Sequence, residues 1–119
     1  MKINSRKKGE GGMTFHKGTF VIQMNELYGT VECACGWIDD TNTYGFYKSF
    51  RNMWRATDLL SGTLITVQPT RKACAEWIRD NADRIAEAKS KETYRKKVED
   101  FERLIRERLF ELSLMGEDV

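Results

Sequence analysis

The pattern of apolar and polar positions divides the chain near residue 69. From Phe15 to Val67 the apolar, β-branched and aromatic residues come in short runs broken by Gly, Asn and Asp, and nine of the thirteen aromatics lie there. Such a composition predicts strands and turns. Thr19 to Met24 is a β-rich run. Tyr28 to Cys35 alternates, with Tyr28, Thr30, Glu32 and Ala34 on one face and Gly29, Val31, Cys33 and Cys35 on the other. Asn25-Glu26 is the expected tight turn between them. Asp39 to Asn42 reads as a polar loop. Tyr44 to Asp58 fits two periods at once: Phe46, Phe50, Met53 and Trp54 have helical spacing, while the aromatic content suits a strand. Leu59 to Thr63 followed by Leu64 to Val67 reads as a hairpin whose Gly62 supplies the positive φ.

Beyond Pro69 the period changes. Thr70 is the expected N-cap, its hydroxyl accepting a backbone N–H of the first helical turn. Ala73, Cys74, Trp77, Ile78, Ala82 and Ile85 recur three and four apart, giving one apolar stripe. Tyr94, Val98, Phe101, Ile105, Leu109 and Leu112 form a second, and the gap from Ile85 to Tyr94 breaks the phase around Lys89-Ser90-Lys91. Two helices follow, roughly 70 to 88 and 91 to 115, as an αα-hairpin or bent rod. The first packs on the sheet through Trp77. The second packs there too or offers its stripe to another chain, including a second copy in a homodimer. The predicted fold is α+β, one domain: an antiparallel sheet of three to five strands from about 14 to 67, then two C-terminal helices.

Charge separates the first twelve residues from the rest. The chain has 119 residues, 20 Lys plus Arg, 18 Asp plus Glu and one His, for a formal net charge of +2. Residues 1 to 12 hold four cations, one acid and three glycines, which buries too little to offset the entropy of ordering, so they are expected to be a disordered basic leader. Lys7 to Gly12 can be encoded by purine-rich codons, which makes Met13 the expected biological start behind a translated ribosome-binding site. The rival reading is a basic arm that contacts phosphate. Without the leader the net charge falls to −1, so the basic character belongs to those twelve residues. No segment has the roughly 20 consecutive apolar residues of a membrane-spanning helix, and the expected location is the cytoplasm of a bacterial host cell. One His and no nucleophile, phosphate-loop or paired-carboxylate motif point away from an enzyme.

Cys33-Ala34-Cys35-Gly36-Trp37 is the sharpest chemical feature. Two thiols at i and i+2 on a strand share a face, and the following Gly lets the backbone turn closely about a metal. The segment resembles half of a zinc ribbon, which implies a structural zinc ion with two further donors. His16 and Asp39 are the candidates to complete the set with Cys33 and Cys35; Cys74 lies on an apolar helix stripe, where Cys acts as a small hydrophobe. The alternative is ordinary core-facing thiols in a reducing compartment.

Two partner classes remain. Tyr44, Phe46, Tyr47, Phe50 and Trp54, interleaved with Lys48, Arg51 and Arg55, have the composition of a nucleic-acid stacking platform, with Tyr47, Arg51, Trp54 and Arg55 as its contact residues. The same aromatics would equally fill a core. The acids Glu26, Glu32, Asp39, Asp40 and Asp58, expected to be exposed, offer a second surface, suited to covering a basic groove on a nucleic-acid enzyme, with Asp39 and Asp40 in their loop as its first contact groups. Arg55 to Gly62, a strand, and then Thr70-Arg71-Lys72-Ala73 opening a helix resemble small strand–turn–strand–helix proteins of phages and mobile elements. Small size, the start region and the lack of a catalytic set are similar to the anti-CRISPR proteins. That resemblance implies a non-catalytic inhibitor of a host defence protein, most concretely an RNA-guided DNA nuclease; the alternative is a small nucleic-acid-binding domain.

Overall fold

Backbone pairing, more than propensity, decides which of these residues share a face. The computed structural model describes residues 7–10, 12–25 and 29–116. Its strands are β1 (Lys7–Glu10), β2 (Met13–Asn25), β3 (Thr30–Asp39), β4 (Tyr44–Lys48), β5 (Trp54–Asp58) and β6 (Leu64–Gln68). They pair in chain order, every neighbour antiparallel. Three helices follow, α1 (Arg71–Asp80), α2 (Ala82–Lys89) and α3 (Glu92–Gly116). The α+β class and the antiparallel sheet agree with the sequence, and five strands lie between Met13 and Gln68. Three features differ. The leader, expected without order, contributes an edge strand over Lys7–Glu10 that pairs with the start of β2. The ambiguous stretch from Tyr44 to Asp58 is a hairpin, turned by Asn52 at φ 65°. The first predicted helix is two helices.

That last break is local chemistry. Asn81 sits at φ −113°, ψ 21° between α1 and α2, and its side-chain Nδ2 donates to the Trp77 carbonyl at 2.9 Å. An Asn that binds backbone this way competes with the regular ladder. The N-cap is as expected: the Ala73 amide donates to Thr70 Oγ1 at 3.0 Å.

On one face of the sheet, Trp37, Phe46, Ala56 and Thr66 fall in one row across four strands. Cys74, Ala75 and Ile78 of α1 close on this row together with Phe15. Phe15 and Phe46 are fully buried and meet edge to face at 5.0 Å; burying each ring contributes about 1.5–3 kcal/mol. The Arg71 guanidinium covers the rim, 4.6 Å from the Trp37 ring and 5.0 Å from Phe15. The opposite face carries a smaller cluster of Phe20, Ile22 and Ala34, flanked by Ile38, Tyr47 and Leu59. The sheet bends round this cluster, because the Gln23 amide near the far end of β2 donates to the Gly62 carbonyl at 2.9 Å. Gly45 makes room for it: a Cβ there would lie 2.6 Å from the Phe20 ring. Gly62, at φ 71°, also receives the buried Phe101 ring of α3, which docks that helix against the β5–β6 turn.

Candidate functional site

The four residues expected to hold zinc do not converge. Cys33 and Cys35 are paired with Val21 and Thr19 and share their face, whereas His16 is paired with Ile38 and lies on the other. Both thiols are exposed. Asp39 is 5% exposed and turned into its own loop. Among the described residues no three His, Cys, Asp or Glu side chains are grouped so as to hold a metal ion.

Asp39 instead organises the β3–β4 connection. Its Oδ1 accepts the amides of Thr43 at 2.8 Å and Tyr44 at 2.7 Å, and its Oδ2 accepts the Thr41 hydroxyl. A carboxylate with three donors from its own loop is a turn cap, not a free contact group. Asp40 is exposed, accepts the Thr14 hydroxyl, and has His16 Nδ1 at 3.6 Å. Glu32 is exposed on β3. Glu26 and the turn expected at Asn25-Glu26 reach outside the described residues. Of the acids among the described residues, Asp39 is buried in its own loop, while Asp40 and Glu32 are exposed.

The expected nucleic-acid platform is also divided. Tyr47 and Arg55 are direct cross-strand neighbours, while Trp54 points to the opposite face, beneath Arg71. Arg51 is on the β4–β5 turn with its guanidinium 5.5 Å from the Phe50 ring. Phe46 is core, Tyr47 packs on Phe20, and only Phe50 stands clear, 91% exposed.

The most committed polar centre is one that local sequence did not disclose. Asp58, expected among the exposed acids, instead ends β5 at 1% exposure, because Lys89 Nζ lies 3.1 Å from its Oδ1 and supplies the counter-charge. Its Oδ2 accepts the Tyr94 hydroxyl at 2.7 Å and the Ser61 hydroxyl and amide at 2.7 and 3.1 Å. Oδ1 has no conventional hydrogen bond, so Lys89 serves it as a charge partner, lying also 5.0 Å from the Tyr44 ring. Burial, and next the hydrogen bond to Asp58, push the Tyr94 hydroxyl well above its ordinary range. This centre ties α2 and α3 to the β5–β6 turn.

The last turns of α3 carry four exposed large apolar side chains. Leu109, Phe110, Leu112 and Leu114 are 60, 64, 47 and 50% exposed. Leu109, Leu112 and Ile105 face Val21, Val31 and Cys33 of the β2–β3 hairpin across a groove of about 480 Å³, rimmed by Glu32 and Arg108. Phe110 and Leu114 line a neighbouring hollow with Arg106, Glu107 and Glu111. No family model, curated protein or solved structure matches this chain. The stripe through Leu109 and Leu112 was legible as a face for another chain. Phe110 and Leu114 lie off that stripe, and what marks them is exposure, a property of the fold. No helix among the described residues is long and apolar enough to cross a membrane.

Proposed function

We propose that this is a non-catalytic phage or mobile-element protein that binds and inhibits a host defence protein, most concretely an RNA-guided DNA nuclease in the manner of the anti-CRISPR proteins. The observation that supports binding is the apolar end of α3: four large apolar side chains, each about half exposed or more, beside an open groove with a charged rim. Contiguous apolar surface framed by polar residues is the usual mark of a protein contact, since leaving it in water has no structural benefit. Of the acids first considered, Glu32 borders this groove, which makes it the acid best placed to meet a basic group on the target. The target class rests on the resemblance in size and sequence organisation.

The test is a plasmid-cleavage assay with the host's guide-loaded nuclease and increasing amounts of the full chain. Cleavage is expected to fall at stoichiometric protein, and the double variant Leu109→Glu/Leu112→Glu is expected to restore it while keeping the wild-type circular dichroism. Undiminished cleavage together with no complex on size exclusion overturns the nuclease as target.

A further inference from the structure

A second site lies at the N-terminal end of α3, away from the apolar groove at its C-terminal end, and is independent of the partner-protein reading. The edge strand β6, helices α1 and α2, and the first turns of α3 enclose a cleft of about 450 Å³. Its charged lining is one-sided: Arg84, Lys89, Lys91 and Lys97 against a single acid, Asp58. That acid is buried and already engaged by Lys89, so three cations face the cleft without a compensating charge. Elsewhere on the helices four arginines are matched: Arg79 with Asp80, Arg95 with Glu92 and Glu99, Arg103 with Asp100 and Glu107, Arg108 with Glu111. Arg84 instead donates to the neutral Asn81 at 3.1 Å, and Lys91 and Lys97 have no ion-pair partner among the described residues. Crowding like charges costs free energy that a bound anion relieves.

Part of the wall is apolar. Trp77, Ile65 and Ile85 are only partly covered by the core they flank, and each presents its remaining surface to the cleft. A ligand that satisfies both halves carries phosphate at one end and an aromatic ring at the other, and the volume lies within the range that holds a small molecule. We infer that this cleft binds a nucleoside phosphate, the phosphates held by Lys91, Lys97 and Arg84 and the base resting against Trp77. Lysine ammonium groups serve as point-charge phosphate binders; Thr93 adds a hydroxyl to the same wall.

The experiment titrates the full chain with ATP near physiological salt, followed by tryptophan fluorescence and calorimetry, with adenosine and tripolyphosphate as separate arms. Saturable ATP binding with quenching, weaker binding of each part alone, and about tenfold or greater loss in Lys91→Ala/Lys97→Ala are expected. Lys96→Ala, on the same helix but outside the cleft, is expected to bind as wild type, and circular dichroism reports that each variant is folded. Tripolyphosphate binding as tightly as ATP overturns the nucleoside part; equal weakening by Lys96→Ala, or no saturation by ATP, overturns the site.

Discussion

At the scale of single residues, Asp58 has the most at stake. A carboxylate 1% exposed is tolerable only with its counter-charge, and Lys89 supplies it at 3.1 Å. Lys89→Met keeps the length of the side chain and removes the charge. It is expected to cost about 3–5 kcal/mol, because a buried charge is left uncompensated, read as a lower urea midpoint. Tyr94→Phe removes one hydrogen bond to the same carboxylate and is expected to cost about 1.5–3 kcal/mol. One hydroxyl and one thiol also bear on stability at alkaline pH. Burial pushes the Cys74 thiol up to about 11, and burial and Asp58 push the Tyr94 hydroxyl up further. In both cases the unfolded chain releases its proton first, so above the unfolded values the native state binds more protons and stability falls as pH rises. Full stability is expected below about pH 9, the first loss between about pH 9 and 11 from Cys74, and a steeper loss above about pH 10 from Tyr94. Tyr94→Phe is expected to flatten the upper part of a melting-temperature profile while lowering it throughout at neutral pH.

At the scale of elements, the glycines of β3 and β2 separate a backbone requirement from a side-chain one. A Cβ on Gly36 would stand 2.0 Å from the Phe46 carbonyl oxygen, a paired strand that has nowhere to go. On Gly18 it would meet Ile38 Cδ1 at 2.8 Å, the tip of a partly buried side chain rather than backbone. Gly36→Ala is expected to cost more than about 3 kcal/mol and Gly18→Ala less than about 1.5 kcal/mol, compared by chemical denaturation. Thr70→Ala tests the opening of α1, with an expected loss of about 1 kcal/mol. These elements also show how far sequence reaches. Gly62 and Thr70 were legible because a turn and a cap are settled within four residues. The two strands from Tyr44 to Asp58 were not, since Phe46, Phe50, Met53 and Trp54 satisfy a helical period by accident; the cross-strand partners that settle the matter lie elsewhere in the chain. Asn81 read as one more polar position on a long helix, yet its amide caps the Trp77 carbonyl and ends α1. For the candidate site the limit is the same. Alternation placed Cys33 and Cys35 on one face, but only the β2–β3 register, with His16 opposite Ile38, puts His16 on the other. Lys89 and Tyr94 reach Asp58 from 31 and 36 residues away, a separation that carries no local pattern.

At the scale of the whole molecule, α3 determines the outline. Its 25 residues extend about 37 Å at 1.5 Å per residue, while the sheet it leaves is only five residues deep at β4, β5 and β6. The radius of gyration, 15.6 Å, exceeds the roughly 13.5 Å expected of a compact chain of this length. The final turns lie beside the β2–β3 hairpin across an open groove without being covered by it, and Leu109, Phe110, Leu112 and Leu114 remain exposed. Two occupants suit such a strip, a second copy or a foreign protein, and area discriminates between them. The strip from Leu109 to Leu114 spans about 9 Å of helix, which is about 10 Å across. Two such strips laid together fall far short of the roughly 800 Å² per partner that a stable complex buries. A larger target can surround the helix and use the adjoining groove and hairpin as well. Multi-angle light scattering is therefore expected to give a monomer at micromolar concentration. The Leu109→Glu/Leu112→Glu variant is expected to stay monomeric with stability within about 0.5 kcal/mol of wild type, its defect confined to target binding. A dimer that this variant dissociates would assign the strip to a second copy and count against a foreign partner there.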